Sequence, residues 1–96
     1  MDLYKRVIKF LKDQHDINQY NEGKRDAIIM TQKHLNSKMK DKLLWEGEIK
    51  NVMVTYLISE KSIYQSATRG GKPKHRSYYN DRLNMIIKIQ EFIYEN

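Results

Sequence analysis

Apolar residues recur three and four positions apart over most of the chain, which is the spacing of one face of an α-helix. The first such group follows Asp2, with lysines and arginines on much of the other side, and its apolar members are Leu3, Val7, Phe10 and Leu11. We predict an amphipathic first helix that ends between Gln14 and Asp16.

A polar segment separates this helix from the next. It contains Asn18 and Asn21, and either side chain could accept a hydrogen bond from the free amides at the start of a second helix. The apolar face of that helix consists of Ala27, Ile28, Thr31 and Leu35. Because the pair Asn36-Ser37 is typical of a helix break or a new cap, we predict that the second helix ends near Leu35.

The longest apolar pattern predicts a third helix from about Lys38 to Ala67, with Gly47 as a point where it kinks or splits. Residues 52–58 are also rich in β-branched and apolar side chains, so a strand is the alternative there. If residues 52–66 form strands, the order of elements becomes that of a winged helix-turn-helix domain, an α+β fold. The helical spacing continues on both sides of residues 52–58, which favours the helix.

Residues 66–79, which we call the basic segment, hold four lysines and arginines, two glycines and the chain's one proline, but no carboxylate. This composition predicts a mobile loop. Ser77 or Asn80 then caps a last helix with an apolar face that includes Leu83, Ile86 and Ile93. The predicted fold is therefore all-α: a single domain over residues 1–96, built as a small bundle of about four helices with the basic loop before the last one.

Composition limits the possible functions. The chain has 96 residues, of which 40% are hydrophobic, so it is expected to fold around one core. Its formal charge of +6 favours anionic partners. The absence of cysteine excludes disulfides and thiolate chemistry. No apolar run approaches the roughly 20 residues of a membrane span, and the N-terminus lacks the apolar core of a signal peptide, so we expect a cytoplasmic protein without membrane contact.

No pattern in the chain indicates an active site. His15, His34 and His75 are far apart, and the carboxylates are spread among lysines instead of being paired in an apolar setting. The stretch Arg69-Gly70-Gly71-Lys72 lacks the spacing of a phosphate-binding P-loop. We therefore expect no enzymatic activity, no metal site and no cofactor.

The basic segment has the composition of a phosphate-binding surface. Its cations can approach phosphates, and its two tyrosines offer stacking faces. A second group of lysines, interrupted by Asp41, lies at the start of the predicted third helix. We predict a small non-enzymatic protein that binds DNA or RNA, with these contact residues: Arg69, Lys72, Lys74, Arg76, Tyr78, Tyr79, Lys38, Lys40 and Lys42.

The alternative function is a protein-interaction module that docks on an acidic partner surface, an adaptor or inhibitor of the kind that mobile elements encode. Seven tyrosines, five methionines and one tryptophan are a large number for a short chain, and these side chains are enriched at interfaces. The long third helix carries apolar residues on more than one side, which a homodimer would cover.

Overall fold

The computed structural model describes residues 2–41, 46–69 and 73–95, and these residues form four α-helices with no strand. The helices are α1 (Asp2–Ile17), α2 (Glu22–Asp41), α3 (Glu46–Ala67) and α4 (Pro73–Glu95). The predicted all-α bundle is confirmed. None of the described helices is both long enough and apolar enough to cross a membrane.

The segment with two possible structures, residues 52–58, is helical and lies within α3. Met53 and Leu57 are fully buried, whereas Thr55 between them is exposed. In a strand these three side chains would point to the same face, so their burial follows the helical period instead. The winged helix-turn-helix alternative, with strands over residues 52–66, is therefore wrong.

Two predicted boundaries are also wrong. The second helix does not end near Leu35 but continues through Asn36 and Ser37 to Asp41, because both side chains are exposed and impose no break. The third helix was predicted to start at Lys38, but Lys38 belongs to α2, and α3 is described from Glu46. Residues 42–45, which include the predicted contact Lys42, lie outside the described residues.

Much of the basic segment, which was predicted as a loop, is helical. Residues 66 and 67 belong to α3 and residues 73–79 to α4, which begins at Pro73. Proline suits the first position of a helix because its missing N–H would have no partner there and its φ is already helical. The expectation that Ser77 or Asn80 caps this helix is therefore wrong.

The turn between α1 and α2 is held by two asparagines. The side chain of Asn21 accepts a hydrogen bond from the backbone N–H of Lys24 at 3.0 Å, so Asn21 is the N-cap of α2. Asn18 donates from its side-chain amide to the carbonyl of Gln14 at 2.8 Å and closes the end of α1. This turn sets α1 against α2, and the hydroxyl of Tyr4 donates to Asn36 at the other end of the pair, at 3.2 Å.

The core lies where the apolar faces of the four helices meet. Helices α1 and α4 each pack against both α2 and α3. The buried apolar side chains are Leu3, Val7, Leu11, Ala27, Ile28, Leu35, Ile49, Met53, Leu57, Tyr64, Met85, Ile86, Ile89 and Ile93. Phe10 of α1 stacks on Phe92 of α4, with ring centroids 4.2 Å apart.

A close approach of two backbones sets the start of α4 against the start of α2. Gly23 is buried, and a Cβ added to it would lie 2.5 Å from the carbonyl oxygen of Tyr78 and 2.8 Å from the Cβ of Asp81. Only glycine leaves room for this contact. The contact places the first turns of α4, and with them part of the basic segment, beside α2.

Candidate nucleic-acid interface

The basic segment lies at the end of the bundle where α3 ends and α4 begins. Arg69 follows the last turn of α3, is exposed, and donates its backbone N–H to the carbonyl of Ser66 at 3.2 Å. Arg76 is exposed in the first turn of α4. Two of the four predicted cations therefore lie on the surface, one before and one after the connection between the helices.

A shallow polar groove of about 310 Å³ lies at this connection. Its described lining residues are Thr68, Arg76, Ser77 and Asn80, and no carboxylate is among them. The hydroxyl of Thr68 donates to the carbonyl of Gln65 at 2.9 Å, which holds it at the end of α3. The guanidinium of Arg76, the hydroxyl of Ser77 and the amide of Asn80 are groups that donate to phosphate oxygens, so the groove is suited to an anion.

The start of α4 adds a positive field of its own. Its first turn contains no acidic residue, whereas the first turn of α2 contains Glu22. Residues 74 and 76 in that turn are instead a lysine and an arginine. The positive end of the helix dipole repels each of these cations by roughly a few tenths of a kcal/mol. An anion bound at the start of α4 would offset this repulsion and stabilise the helix.

The second group of predicted contacts lies elsewhere on the bundle. Lys38 is exposed near the end of α2, whereas Asp26, near its start, contacts α4. These two residues are separated by about 18 Å along the helix at a rise of ~1.5 Å per residue. Lys40, of the same group, is also in α2. Of the two remaining cations of the basic segment, Lys74 is in α4. Lys72 lies outside the described residues.

The two predicted stacking residues are half-buried and have partners within the bundle. The hydroxyl of Tyr78 donates to Oδ2 of Asp26 at 2.5 Å and accepts a hydrogen bond from Nη1 of Arg82 at 3.2 Å. Tyr79 stacks on Tyr64, with ring centroids 5.9 Å apart, and meets the Tyr78 ring edge-on at 5.2 Å. These contacts order the first turns of α4 against α2 and α3.

Arg82 lies between two of these rings, with its Cζ 4.4 Å from the centroid of Tyr64 and 5.7 Å from that of Tyr78. Burial opposes its charge, but attraction by Tyr64 and Tyr78 outweighs burial, and the pKa of Arg82 is raised. Burial and a hydrogen bond with Glu60 raise the pKa of the Tyr64 hydroxyl well above its usual value. Arg82 therefore stays cationic and Tyr64 neutral at pH 7, and this arginine serves the interior of the bundle.

Sequence reasoning missed this arrangement of Asp26, Tyr64 and Arg82 around Tyr78. The spacing of Tyr78 and Arg82, one helical turn apart, is a visible signal. The hydrogen bond between Asp26 and Tyr78 leaves no signal in the sequence, because these residues are distant in sequence. In the structure, Tyr78 therefore joins α4 to α2 through its hydrogen bond to Asp26.

Residues 2–41, 46–69 and 73–95 contain no group of three or more histidine, aspartate and glutamate side chains that could hold a metal ion. The chemistry of the described surface at the basic segment is that of hydrogen-bond donors and cations. No protein family, curated protein or solved structure matches the chain.

Proposed function

We propose that the protein binds nucleic acid without catalysing a reaction, with Arg69, Lys72, Lys74 and Arg76 as its phosphate contacts. The observation that supports this best is the exposure of Arg69 and Arg76 beside a groove of donors at the start of a helix without acidic residues in its first turn. The formal charge of +6 acts in the same direction at longer range.

The mechanism is neutralisation of the phosphate backbone. Each cation that contacts a DNA phosphate releases a condensed counterion, so four contacts correspond to a slope of about −3.6 for log affinity against log salt. Phosphate contacts carry no sequence information, and we therefore expect binding that depends weakly on sequence. On a single strand, the exposed parts of Tyr78 and Tyr79 are the stacking surface for a base.

Lys38, Lys40 and Lys42 form a second contact for longer ligands. Since Lys38 is separated by about 18 Å along the helix from Asp26, which contacts α4, a duplex that reaches both groups must exceed roughly five base pairs at 3.4 Å each. We expect that duplexes of about four base pairs lose the contribution of these lysines and that duplexes of about twelve retain it.

The experiment compares two variants that remove equal charge. In the first, Arg69, Lys72, Lys74 and Arg76 are replaced by alanine. In the second, four exposed lysines on other faces are replaced: Lys5, Lys9, Lys33 and Lys88. Binding of both variants and of the parent to random duplex DNA, single-stranded DNA and RNA is measured by fluorescence anisotropy over a salt series.

On duplex DNA we expect the first variant to lose about 3.6 from the steepness of the parent's slope, and the second to retain most of the parent's slope. Equal losses in the two variants would show that net charge acts without a defined site. A parent that binds no nucleic acid at low salt would refute the proposed function.

A further inference from the structure

An open groove lies between α2 and α3, and its described lining shares no residue with the basic segment. Helices α1 and α4 pack against both α2 and α3, whereas the described contacts between α2 and α3 here include the stack of His34 on Tyr56, with centroids 4.1 Å apart, and a side-chain hydrogen bond between Tyr56 and Thr31. A groove of about 460 Å³ opens beside this stack. It is larger than the polar groove at the basic segment.

The groove has an apolar floor and a polar rim. Val52 and Tyr56 are half-buried and form the floor together with the ring of His34. The exposed residues at the rim are Lys38, Asn51, Thr55 and Ser59. The described lining includes a cation and several hydrogen-bond donors but no carboxylate, so the lining itself presents no like charge to an anionic ligand. Glu60, outside the lining, acts electrostatically on the His34 and Tyr56 rings.

His34 fits this floor as a neutral ring. Burial lowers its pKa, the charge of Lys38 lowers it further, and Glu60 acts weakly in the opposite direction. An imidazole that is neutral at pH 7 offers an aromatic face at little desolvation cost. Lys38 is therefore the one charged side chain among the described groove-lining residues at pH 7.

Apolar side chains continue beyond the groove along α2 and α3, and we call this surface the apolar track. Met30 precedes His34 by one turn on the same side of α2, and 47% of its surface is exposed. Ile63 follows Ser59 by one turn on α3 and is 55% exposed. From Val52 to Ile63 the track measures about 16 Å along α3, which is the length of roughly three helical turns.

We infer that this groove binds a short amphipathic helix with an acidic polar face, supplied by another protein. Its apolar side chains, spaced one turn apart, would lie on Val52, Tyr56 and Ile63, and its carboxylates would face Lys38. A second copy of this chain fits less well because both copies carry a formal charge of +6. The inference does not rest on the proposed phosphate contacts of the basic segment, and it shares only Lys38 with the second group of lysines.

The probe is a fluorescein-labelled peptide of about 16 residues, with leucines at i, i+4, i+7 and i+11 and glutamates at most other positions. Two further peptides are measured beside it: a scrambled one of equal composition and one with lysine in place of glutamate. Anisotropy gives the affinities, and amide chemical shifts of the labelled protein locate the binding surface.

Protein variants then test the groove itself. The double variant Asn51→Glu with Thr55→Glu places two carboxylates on the exposed rim, where they do not disturb the core. Gln19→Glu with Asn84→Glu adds equal charge at exposed positions outside α2 and α3 and is the control. Lys38→Glu is an independent change on α2.

We expect the acidic amphipathic peptide to bind more tightly than both other peptides. The groove variant and Lys38→Glu should each weaken binding at least about tenfold, and the control should change it less than about twofold. Shift changes should centre on His34 and Tyr56. Equal affinity for the scrambled or basic peptide, or equal binding by the groove variant and the control, would overturn the inference.

Two further measurements show whether a different ligand occupies the groove. If duplex DNA displaces the peptide and its affinity falls in the groove variant, the groove belongs to nucleic acid and the inference is wrong. If light scattering shows a dimer that the groove variant converts to a monomer, a second copy occupies the groove, and the inference is again wrong.

Discussion

The contact at Gly23 is expected to make Gly23→Ala destabilising, although alanine normally favours a helix. The added Cβ would lie 2.5 Å from the carbonyl oxygen of Tyr78 and 2.8 Å from the Cβ of Asp81. Carbon atoms pack best at about 3.5–4.0 Å, so α4 must move away by roughly 1 Å. The carbonyl of Tyr78 is backbone in a helix and cannot rotate aside as a side chain would.

The magnitude follows from two opposing effects. Overpacking costs about 1–3 kcal/mol, and the rigid partner places this case in the upper half of that range. Alanine recovers up to about 1 kcal/mol of helix propensity, and less in the first turn, where Gly23 lies. We therefore expect a net loss of about 1–2 kcal/mol in the free energy of unfolding.

Urea unfolding followed by far-UV circular dichroism measures this loss directly. In a domain of this size each kcal/mol corresponds to a Tm decrease of roughly 4–8 °C. Ser37→Ala, at an exposed position of the same helix, is the control and should stay within about 0.5 kcal/mol of the parent. If Gly23→Ala matches or exceeds the parent in stability, helix propensity dominates and the backbones do not approach as closely as described.

Three further predictions concern the fold. Tyr78→Phe removes the hydrogen bond to Asp26 and should lower the unfolding free energy by about 1–2 kcal/mol; no change in urea unfolding would show that water replaces this bond without loss. Because burial and Lys38 hold the folded pKa of His34 below its unfolded value, the unfolded state binds more protons, and stability should fall as pH decreases from about 7 towards 5. His34→Gln should flatten that profile in pH-dependent urea unfolding, and an unchanged profile would contradict the assignment. Leu57→Ala should cost about 2–5 kcal/mol and Ile58→Ala less than about 1, since Leu57 is fully buried and Ile58 is 52% exposed; equal losses in thermal unfolding would contradict the helical register of α3.

The helical class of the fold was predictable because local spacing and tertiary burial agree. Apart from Phe10, which is half-buried, the apolar stripes predicted in the first two helices are the buried ones: Leu3, Val7, Leu11, Ala27, Ile28, Thr31 and Leu35. In residues 52–58 side-chain type alone allowed a strand, and the helical period of the flanking residues favoured the correct structure.

The boundaries were less predictable because the residues that suggested breaks are compatible with helices. Exposed Asn36 and Ser37 continue α2, and Pro73 begins α4 at the one position in a helix where proline carries no penalty. Glycines, a proline and clustered charge indicated a loop over residues 66–79. Composition does not show at which residue the next helix begins.

The exposed part of the candidate nucleic-acid site was visible in the sequence, since Arg69 and Arg76 are surface cations and need no partner in the fold. The part that joins α4 to α2 was not. Tyr78 was predicted from its type as a stacking residue, whereas the structure places its hydroxyl on Asp26 and its ring beside Arg82.

The sequence by itself determined that this chain is helical, basic and rich in surface cations at one connection, because periodicity and charge are properties of neighbouring residues. Only the tertiary structure decided which helices pack together, that Gly23 admits the backbone of α4, and that α2 and α3 leave a groove beside His34 and Tyr56. The physical reason is that packing depends on the shapes of faces that meet across the bundle, and the local pattern of one helix does not specify which other helix will cover it.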